Sequence, residues 1–331
     1  MRIPYQEVCE VLVRALENLR FDPERARLCA RLFAEASRDG VHSHGLERFP
    51  RFVRSVRKGL VDVQGEPSLI STYGALERWN GNSGPGNLNA YQSMARAISL
   101  SQRNGIGCVA LSNTNHWMRG GTYGWQAAEA GAIGVCWTNT LPNLPPWGAR
   151  DPRVGNNPVV IAIPRPEGHV VLDMAMSQFS YGALASHRAR GEHLPVVGGF
   201  DVDGQLTRDP EQIEASGRPL PIGFWKGSGL ALMLDLVAGL LSGGQFTWQI
   251  AADPEQESKI SQVFISFDLS QLSQPEATAE LANQVIRHLK FSTRTGEQIR
   301  YPGERVLETR SENMTKGIPV SASIWNEIQA L

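Results

Sequence analysis

Ser43-His44-Gly45 followed by Arg48 places a titratable imidazole four residues before a permanent cation. Histidine gives or takes a proton near neutral pH. Arginine's planar fork grips a carboxylate through two hydrogen bonds. If a helix opens near Ser43 or His44, the two side chains share one face and can point at one small ligand. A small acid with a carbonyl or hydroxyl beside its carboxylate suits that pair. The bland alternative stays open: His44 caps a helix, and Arg48 is one solvated arginine among Arg51, Arg54 and Arg57.

A second polar group runs from Asn113 to Gly124, with Asn115 and His116 at the end of an expected strand. Gly120, Gly121 and Gly124 there permit tight turns and close ligand approach. His116 could hold a second substrate oxygen, or simply bond backbone in a glycine-rich turn. His42 and His44 with His116 or Asp173 would make a three-ligand metal site, but the first two straddle the expected helix start, so no metal is expected. Gly-x-Ser-x-Gly does not occur, which sets a serine nucleophile aside. Neither Gly-x-Gly-x-x-Gly nor a phosphate-loop lysine pattern occurs; Gly227-Ser228-Gly229 has Leu232 where a third glycine belongs. Any nicotinamide site here is therefore not built on a Rossmann scaffold.

The elements that must carry these residues are legible in outline. Asp22–Ala36 reads as an amphipathic helix broken by Arg38-Asp39-Gly40, and Leu46, Phe49, Val53 and Val56 recur at helical spacing after it. Val8, Val11, Leu12, Ala15 and Leu16 line a first helix. Short apolar runs at 106–111, 133–138, 159–163, 170–174 and 263–268 read as strands. Helices are expected over 88–102, 122–130, 228–241 (apolar enough to be buried) and 275–290, with a helical close from Val306 to Leu331 and Pro319 near a helix start. The Pro/Gly-rich loop 142–149 is a candidate site wall. The sum is a mixed α/β body with helices at both chain ends.

The chain has 331 residues, 41% hydrophobic and 20% charged, with a formal net charge of −1. Such a balance offers no global field for nucleic acid or an anionic membrane surface. Cys9, Cys29, Cys108 and Cys136 form no C-x-x-C pair, and no leader-like or membrane-spanning run is visible, so a cytoplasmic protein with free thiols is expected.

Several segments together resemble the non-Rossmann malate/L-lactate dehydrogenase family: Gly40-Val41-His42-Ser43-His44-Gly45 with Arg48, Asn115-His116 with Gly120-Gly121, Pro145-Pro146-Trp147-Gly148, Gly155 with Asn157-Pro158, and Lys226-Gly227-Ser228-Gly229. The resemblance runs end to end. It implies an NAD(P)-binding sheet domain unlike Rossmann's (75–284), a helical domain formed by both chain termini (1–74 and 285–331), and a homodimer. It makes His44 the proton donor and puts Ser43, Arg48 and His116 at substrate-contacting places. It also puts His169, Val170, Val171, Leu172, Asp173, Met174, Ala175, Trp225, Lys226, Gly303, Glu304 and Arg305 along the dinucleotide, with Lys226 and Arg305 as phosphate partners. Asp173 would bond a ribose hydroxyl or cap its own strand.

The expected activity is NAD(P)H-dependent reduction of a 2-oxo (sugar) acid, with NADH taken first and NADPH open. A protonated His44 would stabilise the oxygen that gains charge. Three alternatives stand beside it: a malate/L-lactate-type 2-hydroxy acid dehydrogenase, a metal-dependent hydrolase using His42, His44 and His116, and an idle carboxylate binder keeping only Arg48.

Overall fold

The computed structural model describes residues 1–270, 275–293, 295–296 and 298–331. The strands are β1 (Arg2–Ile3), β2 (Ser68–Tyr73), β3 (Leu76–Asn80), β4 (Ile106–Thr114), β5 (Ala132–Thr138), β6 (Val159–Ile163), β7 (Val170–Met174), β8 (Gly199–Phe200), β9 (Leu206–Thr207), β10 (Ile260–Asp268) and β11 (Ile318–Pro319). The helices are α1 (Tyr5–Asn18), α2 (Pro23–Arg38), α3 (Phe49–Arg57), α4 (Gly86–Asn104), α5 (Gly121–Glu129), α6 (Tyr181–Arg190), α7 (Pro210–Ser216), α8 (Trp225–Ser242), α9 (Pro275–Lys290), α10 (Glu304–Lys316) and α11 (Ala322–Gln329).

A seven-stranded sheet in the order β2-β3-β4-β10-β5-β6-β7 forms the centre. β3 and β4 pair in parallel through the crossover helix α4, and the other neighbours are antiparallel. Antiparallel pairing of that kind is incompatible with a doubly wound parallel fold. One face of the sheet packs on α4 and α5 through Met94, Leu111, Trp117, Tyr123 and Phe264. The other packs on α8 through Ala231, Leu234, Ala238, Trp137 and Val263.

The chain ends meet, as their helical character suggested. β1 pairs with β11, and α1, α2, α3 and α11 share a core of Val8, Leu12, Phe33, Phe49, Trp325 and Ile328. Asp22 caps α2 by accepting from Glu24 N, with Pro23 in the first turn where a missing N–H costs nothing.

Two sequence expectations, the start of α3 and the burial of α8, need correction, and one hairpin carries no sequence signal. The helix after Asp39 does not open at His44: residues 42–44 form a 3₁₀ turn, and α3 starts at Phe49 with Pro50 in its first turn. Proline tolerates that position and no deeper one, so it sets the start. Pro319 lies in β11, three residues before α11, whose N-cap is Ser321, so a helix does start nearby as expected. α8 is buried on one side alone, since Leu230, Met233 and Leu240 are exposed. β2 and β3 carry no apolar alternation, and every residue of β2 is exposed, so the reading missed this edge hairpin.

Candidate active site

A cleft of about 610 Å³ opens between the helical cluster and the β6–β7 end of the sheet. Ser43 and His44 from the 3₁₀ turn, His116 and Arg119 from the segment after β4, Val171, Leu172, Asp173 and Ala175 from β7 and its end, and Gly303 before α10 all line it. Thr138, Thr140 and Asn156 supply the wall expected of loop 142–149, which stands outside the lining.

His44 and His116 stack with ring centroids 5.8 Å apart. Ser43 Oγ lies 3.0 Å from His44 Nδ1. His116 Nδ1 accepts a 3.0 Å bond from the Met118 amide, which leaves Nε2 as the protonated nitrogen of the neutral ring. The turn histidine and the site histidine, offered as alternatives, are therefore one residue. The first turn of α6 abuts Ser43, since a methyl on Gly182 would stand 2.9 Å from its Cβ.

Enclosure, then the Arg48 and Arg119 charges, push the His44 imidazole down to about 4. Burial and Arg48 lower His116 well below its ordinary range too. Both rings are neutral at pH 7 with the cleft open to water. His44 therefore rests as a base in the free protein and must gain a proton before it can donate one.

Arg48 does not face the cleft. As the residue before α3 it turns into a small adjoining cavity with Arg51, Asn115 and Glu257, and His116 and Met118 line both spaces. Its Nη2 lies 3.8 Å from Glu257 Oε2, while Glu257 Oε1 accepts from Leu141 N. Burial and Arg51 lower the guanidinium to about 10, still charged at neutral pH. The shared helix face assumed for His44 and Arg48 does not exist, because Pro50 delays α3.

Asp173 faces the cleft and accepts a 2.7 Å bond from Gly121 N at the start of α5. The residue is solvent-exposed, and Arg119 and that amide both favour its charged form. Along β7, Val171, Leu172 and Asp173 line the cleft, while Met174 packs under α8. His169 accepts from Arg165 N instead. Val170 and Met174 are likewise outside the lining.

Gly303 has φ +92°, and α10 begins after it with no side-chain cap. A Cβ there would stand 3.1 Å from Val171 N, so only glycine lets the helix start approach β7 so closely. The Glu304 carboxylate is taken by Lys290 and the Tyr301 amide. Arg305 faces an outer groove with Arg300, Glu308 and Glu312. Trp225 and Lys226 lie on α8, away from the cleft, and the Trp225 ring is exposed.

Sequence reasoning missed Trp125 and Tyr301 as cleft residues, and Asp39, whose carboxylate binds Arg119 behind the cleft. Their partners are remote in sequence, and no local pattern marks them.

Comparison with known proteins defines the class first. Over 99% of its length the chain superposes on 95% of sulfolactate dehydrogenase from Methanocaldococcus jannaschii, with TM-score 0.91 and 25% identity. Over its full length it superposes on 95% of malate dehydrogenase from Pyrococcus horikoshii, with TM-score 0.90 and 28% identity. It is 43% identical to a 2,3-diketo-L-gulonate reductase of Shigella boydii, across the whole of both chains. This is an oxidoreductase acting on the CH–OH group, working with a nicotinamide cofactor. The chain belongs to the malate/L-lactate dehydrogenase family, whose model matches residues 3–329.

The residues present fit such a cofactor. The uncapped start of α10 opens on the cleft at a glycine, the arrangement that receives phosphate oxygens on backbone amides. The Trp125 Nε1–H lining the same cleft is buried with no partner among the described residues.

Proposed function

We propose that this chain reduces a 2-oxo sugar acid to the 2-hydroxy acid with NADH as reductant, 2,3-diketo-L-gulonate being the substrate its full-length similarity favours. The observation that carries the reading is the stacked His44–His116 pair facing, across one cleft, a glycine-opened helix start. The nicotinamide ring supplies or takes the hydride when bound. His44 exchanges the proton with the substrate oxygen through Nε2, since Ser43 occupies the Nδ1 side. His116 Nε2–H donates to the same or a neighbouring oxygen, because Met118 holds its other nitrogen. The start of α10 would receive the pyrophosphate at Gly303 and the Arg305 amide, since the Glu304 amide already donates to Tyr301 O.

NADH is preferred over NADPH in this reading for two reasons. The cleft carries the Asp173 carboxylate. Its outer cation, Arg300, is already engaged by Glu308 and Gln298. An added 2′-phosphate would meet the first and find the second occupied. Carboxylate recognition falls to Arg48 only if its guanidinium turns past His116 from the adjoining cavity.

The helical unit (1–74 and 285–331) and the sheet unit (75–284) belong to this proposal, with 68–73 given to the sheet because β2 pairs there. So does a homodimer, supported by the exposed apolar side of α8. A reducing, cytoplasmic setting is supported by four free thiols, at Cys9, Cys29, Cys108 and Cys136.

The test is a panel of 2-oxo acids with NADH and with NADPH, followed by loss of reduced-cofactor absorbance. 2,3-Diketo-L-gulonate with NADH should give the highest kcat/KM, at least tenfold above malate- or lactate-type 2-oxo acids. Faster turnover of the four- or three-carbon acids would move the assignment to a malate/L-lactate-type enzyme. The family membership already sets the metal-dependent hydrolase and the idle binder aside.

A further inference from the structure

Asp39 is the C-cap of α2, and its carboxylate is almost wholly buried. It accepts from Arg38 Nε at 2.8 Å, from Arg119 Nη1 at 2.5 Å, and from Arg310 Nε and Nη2 at 2.8 and 2.7 Å. Arg38 is shared with Glu35 at 3.3 Å, so three arginines meet two carboxylates and the cluster keeps an excess of positive charge behind the cleft. Of the three, Arg119 forms part of the cleft lining. It is 5% exposed, and its Nε has no hydrogen-bond partner among the described residues. A methyl on Gly121 would stand 2.8 Å from Asp173 Oδ2 and 3.4 Å from Arg119 Nε, so both groups flank one backbone position.

We propose that Arg119, clamped from behind by Asp39, is a positioning residue that presents a fixed cation beside His44 and Asp173. It thereby makes proton uptake by His44 depend on the arrival of an anion. The charged and titratable groups around His44 are the stacked His116 and Arg119 after β4 and Asp173 in the same cleft, with Ser43 Oγ on Nδ1 and Arg48 in the adjoining cavity beyond His116. Both arginines oppose a proton on His44. An incoming carboxylate offsets them, so His44 gains its proton when there is an oxygen ready to take it. Asp39 is needed because an unclamped arginine would swing onto Asp173 or onto the substrate and neutralise it. The clamp also joins three distant stretches of chain, since Arg119 and Arg310 stand 80 and 271 residues beyond Asp39.

The idea rests on the reading of His44 as the proton-transfer group, but its test does not need turnover. Histidine-labelled protein is titrated by NMR without substrate, the His44 signal being assigned by its loss in His44→Gln. Arg119→Met should raise the His44 midpoint by about one pH unit, a tenfold gain in proton affinity. Arg119→Lys, which keeps the charge, should restore a midpoint near the wild type. Oxamate, a non-reducible carboxylate, should raise the wild-type midpoint, and raise it less in Arg119→Met. A folded Arg119→Met whose midpoint matches wild type, or a wild-type midpoint that saturating oxamate does not move, overturns the proposal. The second arm uses the native chain, so it decides even if Arg119→Met fails to fold. Retained turnover in His44→Gln would instead sink the functional reading and leave the titration standing.

Discussion

At the residue scale, the site is two neutral imidazoles surrounded by arginines, and this state has consequences away from catalysis. His44 titrates near 4 in the fold and near 6.5 in an unfolded chain. Between those values the unfolded chain binds more protons, so stability rises with pH there and is flat above about 7. His116 adds to the same slope, because burial lowers it too. His44→Gln should therefore lose less stability than wild type between pH 7 and pH 5, by about 1–2 kcal/mol in urea unfolding. Parallel losses in the two proteins would show that His44 is not held neutral. Turnover of His44→Gln should fall roughly 10²–10⁴-fold while NADH affinity stays within about twofold, since binding the reductant needs no proton. If the Arg48 guanidinium turns past His116 onto the substrate, Arg48→Lys should raise KM for carboxylate substrates about fivefold or more, because a point charge cannot replace a fork. An unchanged KM would confine Arg48 to its pairing with Glu257. Ser43, His44 and His116 could be singled out from sequence because their neighbours in the chain carry the signal. The Asp39–Arg119–Arg310 cluster could not, because its members meet only after the chain ends close on the middle.

At the element scale, apolar strands announced themselves, and polar or short ones did not. β4, β5, β6, β7 and β10 are runs rich in Val, Ile, Leu, Phe and Cys, so composition alone finds them. β2 is exposed along its whole length and shows no such run. The delayed start of α3 was readable in principle from Pro50, yet the apolar spacing of Leu46, Phe49 and Val53 argued for an earlier helix. Helix ends also decide the cofactor side. If backbone amides at the start of α10 receive phosphate, the geometry at Gly303 matters more than the Glu304 and Arg305 side chains. Gly303→Ala forces a Cβ into a φ of +92° and to within 3.1 Å of Val171 N, so the helix start must retreat from β7. The cost should be about 1–2 kcal/mol of stability, with NADH Kd weakened at least fivefold. Arg305→Ala should leave Kd within twofold. The reverse ranking would return the phosphate to the side chain.

At the scale of the whole molecule, α8 poses a solubility problem that a single chain does not solve. Ala231, Leu234 and Ala238 pack inward on the sheet, while Leu230, Met233, Leu240 and Trp225 point outward and are exposed. A helix apolar on both sides is normally buried on both. No described helix is long and apolar enough to cross a membrane. A second copy of the chain is the occupant that requires no further component, and such a face suits an isologous contact. Light scattering should then give twice the chain mass of 36.3 kDa. Leu240 is 71% exposed and touches little of its own chain, so Leu240→Glu should leave the fold's Tm nearly intact while desolvation of the new carboxylate breaks the contact. The variant should elute at 36.3 kDa at concentrations where the wild type elutes at twice that mass. A wild-type chain that is monomeric at micromolar concentration would remove the dimer and leave the α8 face without an explanation.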